Sequence, residues 1–149
     1  MNRRRLLASL VAAPLASAPL ALAPLASATA QTRAFDAAFE RFRRDARLAP
    51  THSDATLVAL AQTIAADNAA RGLLDHREAS GRDLGARAAA TGIAFRIVAE
   101  NLAVGAADAL AALDLWIASP PHRANLELPA LSRHGLANAG RYWALVLAG

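Results

Sequence analysis

The chain has 149 residues, no cysteine and no lysine; sixteen arginines supply its basic charge, against twelve acids and four histidines. Without cysteine it has no disulfide, no thiol nucleophile and no thiolate metal ligand. Three of the cations are Arg3, Arg4 and Arg5, so beyond residue 30 thirteen arginines meet twelve acids and the net charge is +1. That balance builds no basic face, and nucleic acid is not an implied partner.

The chain opens with the cationic "MNRRR" and continues as an Ala/Leu-rich stretch ending in Ala28-Thr29-Ala30. A charged head, an apolar middle and a small-x-small exit form the pattern of a secretory signal peptide, with Gln31 as the new N-terminus. Pro14, Pro19 and Pro24 recur in an "APLA" unit. Proline removes a donor and clashes with the preceding turn, so the segment makes a poor membrane span, and no stable insertion of the mature protein is expected. The arginines followed by leucines also fit twin-arginine export beside the general route. The expected organisation is therefore a leader, 1–30, and one domain, 31–149, secreted to the periplasm or medium. A domain of that length buries around two-thirds of its unfolded surface, enough for one core.

Along that domain, Phe35, Phe39, Phe42 and Ala46 recur at helical spacing and predict a helix over 31–47. Its run "RFRRDAR" (41–47) reads as the solvated side. Ser53 is placed to cap a second helix reaching Arg71, with Leu57, Leu60, Ile64 and Asn68 on one side and Gly72 as its stop. A polar loop carrying His76 leads to a short helix from about Asp83 to Ala90. Ile93, Phe95, Ile97 and Ala99 alternate with their neighbours, which predicts a strand ending near Glu100. Residues 107–118 return to helical spacing, with Leu110, Leu113, Trp116 and Ile117 facing inward. Pro120 and Pro121 break that helix, a short turn follows around His122 to Asn125, and a hairpin through Asn138-Ala139-Gly140 closes the chain. Helices first and strands concentrated at the end predict an α+β layered domain.

The groups able to carry chemistry are His52, His76, His122, His134 and Glu100. Taken singly, each has a structural reading: His76 as a loop histidine, His122 as the opening of a helical turn, Glu100 as a capping carboxylate. No HExxH or His-x-His spacing is present, and no G-x-S-x-G supports a serine nucleophile.

Five blocks in order, "LAQTIAADNAARGLLDH", "SGRDLGAR", "AENLAVG", "LWIASPPHRANL" and "GRYWALVLAG", resemble bacterial members of the CAP superfamily. This is the SCP domain of cysteine-rich secretory proteins, venom antigens and plant pathogenesis-related proteins. The E-N pair and the W-x-x-S-P-x-H-R-x-N stretch are the specific parts, and the likeness spans about 35–149. It implies a three-layer α-β-α sandwich with a small antiparallel sheet between helices. It also implies a cleft where His76, Glu100 and His122 converge, with Ser119 where eukaryotic relatives carry a second glutamate. Asn101 and Asn125 match the family's asparagines and are expected to bond loop backbone. Ala99 and Pro121 replace two family glycines, and Glu127 stands where an apolar residue is usual, so the cleft is expected to be narrower and less acidic. His76 and His122 are the candidate metal ligands, with zinc as the divalent cation two imidazoles suit and Glu100 as ligand or acceptor behind them. The cleft's partner is accordingly a small ligand, a lipid or a cation. A binding module, a metal-dependent hydrolase acting on peptide, ester or lipid with Glu100 as general base, and a scaffold whose cleft is vestigial all remain open. Two histidines favour binding, because most catalytic zinc sites supply three protein ligands.

Overall fold

The structure, a computed structural model, describes residues 23–149. In chain order it forms α1 (Ala23–Asp45), β1 (His52–Ser53), α2 (Ala55–Arg71), α3 (Leu84–Ala90) and β2 (Val98–Val104). Then come α4 (Ala109–Ala118), α5 (Pro120–Leu126), β3 (Arg133–Ala139) and β4 (Tyr142–Ala148). The strands lie in the order β1-β3-β4-β2, antiparallel except for the two-residue β1, which runs parallel to β3. The leader expected over 1–30 falls outside the described residues as far as residue 22; α1 passes through Ala30 and Gln31 without a break.

β4 is the apolar run "YWALVLA", and it is central because both of its faces are covered. Trp143, Leu145 and Leu147 pack with Phe35, Phe39, Leu113, Trp116 and Leu126 of α1, α4 and α5. Ala144, Val146 and Ala148 face the opposite way, against Leu57, Leu60 and Ile64 of α2 and Ala88 of α3. The period-2 alternation of one strand thus builds two cores, and the molecule is an α-β-α sandwich. α2 lies so close to the sheet that a Cβ on Gly135 would stand 2.1 Å from the Leu57 carbonyl carbon. Only glycine fits there.

Several local expectations give way to tertiary context. The strand expected to end near Glu100 instead begins at Val98 and continues to Val104, pairing residue for residue with β4. Alternation alone put the strand over 93–99; the partner able to take ladder bonds lies beside 98–104, and pairing decides. Asp54 caps α2, its carboxylate accepting from the Thr56 and Leu57 amides, while Ser53 is used in β1. Gly72 ends α2 in the left-handed conformation, φ 67°. The turn expected after the two prolines is a seven-residue helix, α5, which proline opens because the first helical turn needs no amide donor there. Leu110 is exposed, not inward.

Arg43 departs furthest from its expected solvated place. It is fully buried, donating from Nε to the Ala49 carbonyl and from Nη1 to the carbonyls of Leu126 and Leu128. One guanidinium thereby ties the end of α1 to the end of α5.

His134 ties α1 to β3. It is buried against the rings of Phe35 and Phe39, with Nε2 at 2.9 Å from Asp36 and Nδ1 at 2.9 Å from the Thr51 hydroxyl. A carboxylate only accepts, so Nε2 donates to Asp36 and Nδ1 accepts from Thr51. Burial pushes the His134 pKa below its ordinary 6.5, and Asp36 pulls partly back. Below about pH 6.5 the unfolded chain therefore takes up its proton first, and this contribution to stability is lost as pH falls toward the folded pKa. The wild-type melting temperature should fall between about pH 7 and about pH 5, and thermal melts of His134→Gln should show a shallower slope over the same range. An equal slope in the variant would remove His134 as the source.

Candidate functional site

β2 is an edge strand, and its alternation sets the site. Glu100 lies opposite Val146 and points to the α2–α3 side; Asn101 lies opposite Leu145 and points to the α4–α5 side. Each gathers a different segment.

Glu100 gathers the loop after α2. Its side chain is 2% exposed, with Oε1 at 2.7 Å from His76 Nδ1 and Oε2 accepting from Arg87 Nη2 at 3.1 Å. Burial raises the Glu100 pKa, opposed by the His76 hydrogen bond and by the Arg87 charge. The loop itself is pinned on both sides of His76. Asn68, buried on α2, donates to the Asp75 carbonyl and accepts from the Asp75 amide. Arg71 reaches the Asp75 carboxylate and the Arg77 carbonyl, and Arg87 donates to the His76 carbonyl at 2.8 Å. The imidazole of His76 remains 64% exposed.

Asn101 gathers α5. It is fully buried, its amide donating to the His122 carbonyl at 3.0 Å and its oxygen accepting from Asn125 at 2.9 Å. Asn125 also donates to the Glu100 backbone carbonyl, and the Trp116 indole donates to that of Leu102. These two outward carbonyls of the edge strand are thus satisfied by helix side chains rather than left as a template for another strand. Both asparagines bond backbone, though of α5 and β2 rather than of loops. Ser119 ends α4, and its hydroxyl lies 2.8 Å from His122 Nδ1. Burial lowers the His122 pKa, and repulsion from His76 adds to it.

His76 is bonded to Glu100 and His122 to Ser119, and Asn125 ties α5 to the Glu100 carbonyl, so the four lie at one edge of the sheet. His134 and His52 belong to the region of β1 and β3 instead. The set lies at the surface, with His76 exposed and Ser119 and His122 half-buried. Recesses of about 220, 290 and 300 Å³ lie elsewhere and are not lined by these four residues, although Arg87 lines the last of them. Glu127, which departs from the family pattern, pairs with Arg123 on the exposed side of α5, and Arg123 also stands over the Phe42 ring.

Arg87 escaped the sequence reading. Its signal is faint: in "LGARAAA" it falls three residues after Leu84 and next to buried Ala88, on the inward face of α3. Periodicity that counts only apolar residues passes over a buried arginine.

Helices on both faces of a small sheet, a loop histidine bonded to an edge-strand glutamate and a second histidine on the proline-opened helix held by the neighbouring asparagine are the features of an SCP-type domain. Residues 37–141 match the Cysteine-rich secretory protein family, CAP, and the chain belongs to that family. An SCP-domain extracellular protein from Bacillus anthracis superposes with a TM-score of 0.78 at 20% identity, over 89% of this chain and 45% of its own. An outer surface protein from Borrelia burgdorferi gives 0.71 at 17% identity, over 79% of this chain and 91% of its own. A cysteine-rich secretory protein from Staphylococcus aureus gives 0.69 at 15% identity, over 80% and 38%. The chain thus spans less than half the length of the first and third of these. Comparison with curated proteins gives no match.

Asn101 is the group on which the α5 side rests. Asn101→Ala leaves the His122 carbonyl and the Asn125 amide short of a partner, and an orphaned buried polar group costs about 1–3 kcal/mol. Urea unfolding should show a loss of that size, whereas Asp114→Ala on the exposed face of α4 should stay within about 0.5 kcal/mol.

Proposed function

We propose that the protein is a secreted binding module whose His/Glu recess takes a small ligand or a divalent cation through two imidazole nitrogens. One observation carries this reading. Both rings are held through Nδ1, His76 by Glu100 and His122 by Ser119, which leaves the two Nε2 atoms as the groups that can meet a ligand. A carboxylate behind a histidine fixes the ring and raises its basicity, an arrangement found behind metal-binding imidazoles.

The donor set limits what kind of cation site this is. Glu100 is buried with both oxygens engaged, so it stands behind His76 and not in a coordination shell. Among the described residues no group of three or more histidines or carboxylates is arranged to hold an ion. Two nitrogens remain for zinc, with water completing the shell, and modest affinity follows. The same engagement of Glu100 argues against the hydrolase reading, since a general base needs a free oxygen within reach of the attacking water.

Neutral imidazole is the binding form, so protons compete with the metal. Calorimetric titration with zinc should show affinity weakening from about pH 8 to about pH 5.5, through the ordinary histidine range. His76→Ala and His122→Ala should each abolish binding, and Glu100→Gln should weaken it. His52→Ala, at an exposed position away from the recess, is the control; His134 cannot serve as one, because its loss disturbs the core. Equal affinity in wild type and His122→Ala would reject the cation and leave small-ligand recognition.

Secretion rests on the leader pattern, on two solved relatives described as extracellular and outer-surface proteins, and on the lack of any described helix long and apolar enough to cross a membrane. Protein recovered from periplasm or medium should begin at or near Gln31 by N-terminal sequencing. An intact Met1 in a membrane extract would show an anchor instead.

A further inference from the structure

We infer that Arg87 is the positioning residue of the recess: its guanidinium fixes the Glu100 carboxylate and, through it, the proton placement on the His76 ring. The inference rests on the reading of the recess only for the importance of His76; its test uses no ligand, so either can fail without the other.

The geometry is a closed ring of hydrogen bonds across three elements. Arg87 Nη2, on α3, donates to Glu100 Oε2 at 3.1 Å and to the His76 carbonyl at 2.8 Å. Glu100 Oε1, on β2, returns to the His76 ring at Nδ1, 2.7 Å away. With Oε2 held by the guanidinium, Oε1 can point only toward His76. An ionised carboxylate has no proton to give, so Nδ1 carries the hydrogen and Nε2 keeps its lone pair. The order of a ring that is 64% exposed thus comes from two side chains that are 2% and 3% exposed.

The arrangement is held at a cost. Arg87 Nε is buried with no acceptor, and an unpaired buried donor is unfavourable. Replacing a buried ion pair by apolar groups is often neutral or stabilising, so stability alone does not account for this arginine. Nor does the loop need Arg87 for its path, since Asn68 and Arg71 already bind the backbone on either side of His76. What Arg87 adds is a fixed carboxylate.

The test is the tautomer of the His76 ring, read from ring ¹⁵N shifts of the whole chain at about pH 8, above the ordinary histidine range. Wild type should show the Nδ1–H form in large excess, with exposed His52 as the in-molecule reference. Arg87→Lys keeps a positive charge beside Glu100 but cannot grip it with a planar fork. Arg87→Met removes the charge. Each should lower the Nδ1–H to Nε2–H ratio of His76 roughly tenfold or more, as expected on loosening a charge-assisted hydrogen bond, with Lys less affected than Met. The indole N–H signals of Trp116 and Trp143, bonded to the Leu102 and Ala106 carbonyls, report whether the fold is intact. If Arg87→Met does not fold, Arg87→Lys decides alone. An unchanged ratio with intact indole signals in Arg87→Lys, or in Arg87→Met where it folds, overturns the inference.

Discussion

The site depends on one constraint: successive side chains of a strand point to opposite faces. In β2 that rule sends Glu100 toward α3 and Asn101 toward α5, although they are neighbours in sequence. The pair works as a junction. Glu100 fastens the loop that carries His76, and Asn101 fastens the helix that carries His122, so two segments 46 residues apart are brought to one sheet edge. A register slip of one residue between β2 and β4 would exchange the two directions and break both connections at once. The all-apolar β4 prevents the slip, because its large Trp143, Leu145 and Leu147 and its smaller Ala144 and Ala148 fill cores of different shape.

Two buried arginines do for this domain part of what disulfides do elsewhere. Arg43 holds three carbonyls across the α1–α5 junction, and Arg87 holds a carbonyl and a carboxylate across the loop, α3 and β2. Each leaves one buried nitrogen without an acceptor, Nη2 of Arg43 and Nε of Arg87. These guanidiniums are therefore not ideal cross-links; they gather several acceptors from segments that no ladder or helix otherwise joins. Burial lowers the Arg43 pKa, yet at near-neutral pH arginine still stays charged where lysine would shed its proton. That difference suits a chain using arginine throughout and no lysine.

The fold was legible where local chemistry and tertiary packing agree. Apolar spacing marked the Leu57–Leu60–Ile64 face of α2, Gly72 marked its end, and the terminal hairpin showed as two apolar runs about a glycine. It was misread where a partner decides: β2 lies five residues later than alternation placed it, because 98–104 rather than 93–97 faces β4. The site residues His76, Glu100, Ser119 and His122 came from ordered resemblance, and no single spacing singled them out. Arg43 and Arg87 were not legible, since a buried arginine gives the same letter as a solvated one and only the acceptors around it, distant in sequence, tell them apart.

The electrostatics of the recess follow from the same pairing. Arg87 neutralises Glu100, so with both histidines neutral these residues carry no net charge among themselves. Attraction for a cation must then come from lone pairs at short range, not from long-range steering. Burial and repulsion from His76 both hold the His122 pKa below its ordinary value, which favours the neutral, lone-pair form of that ring.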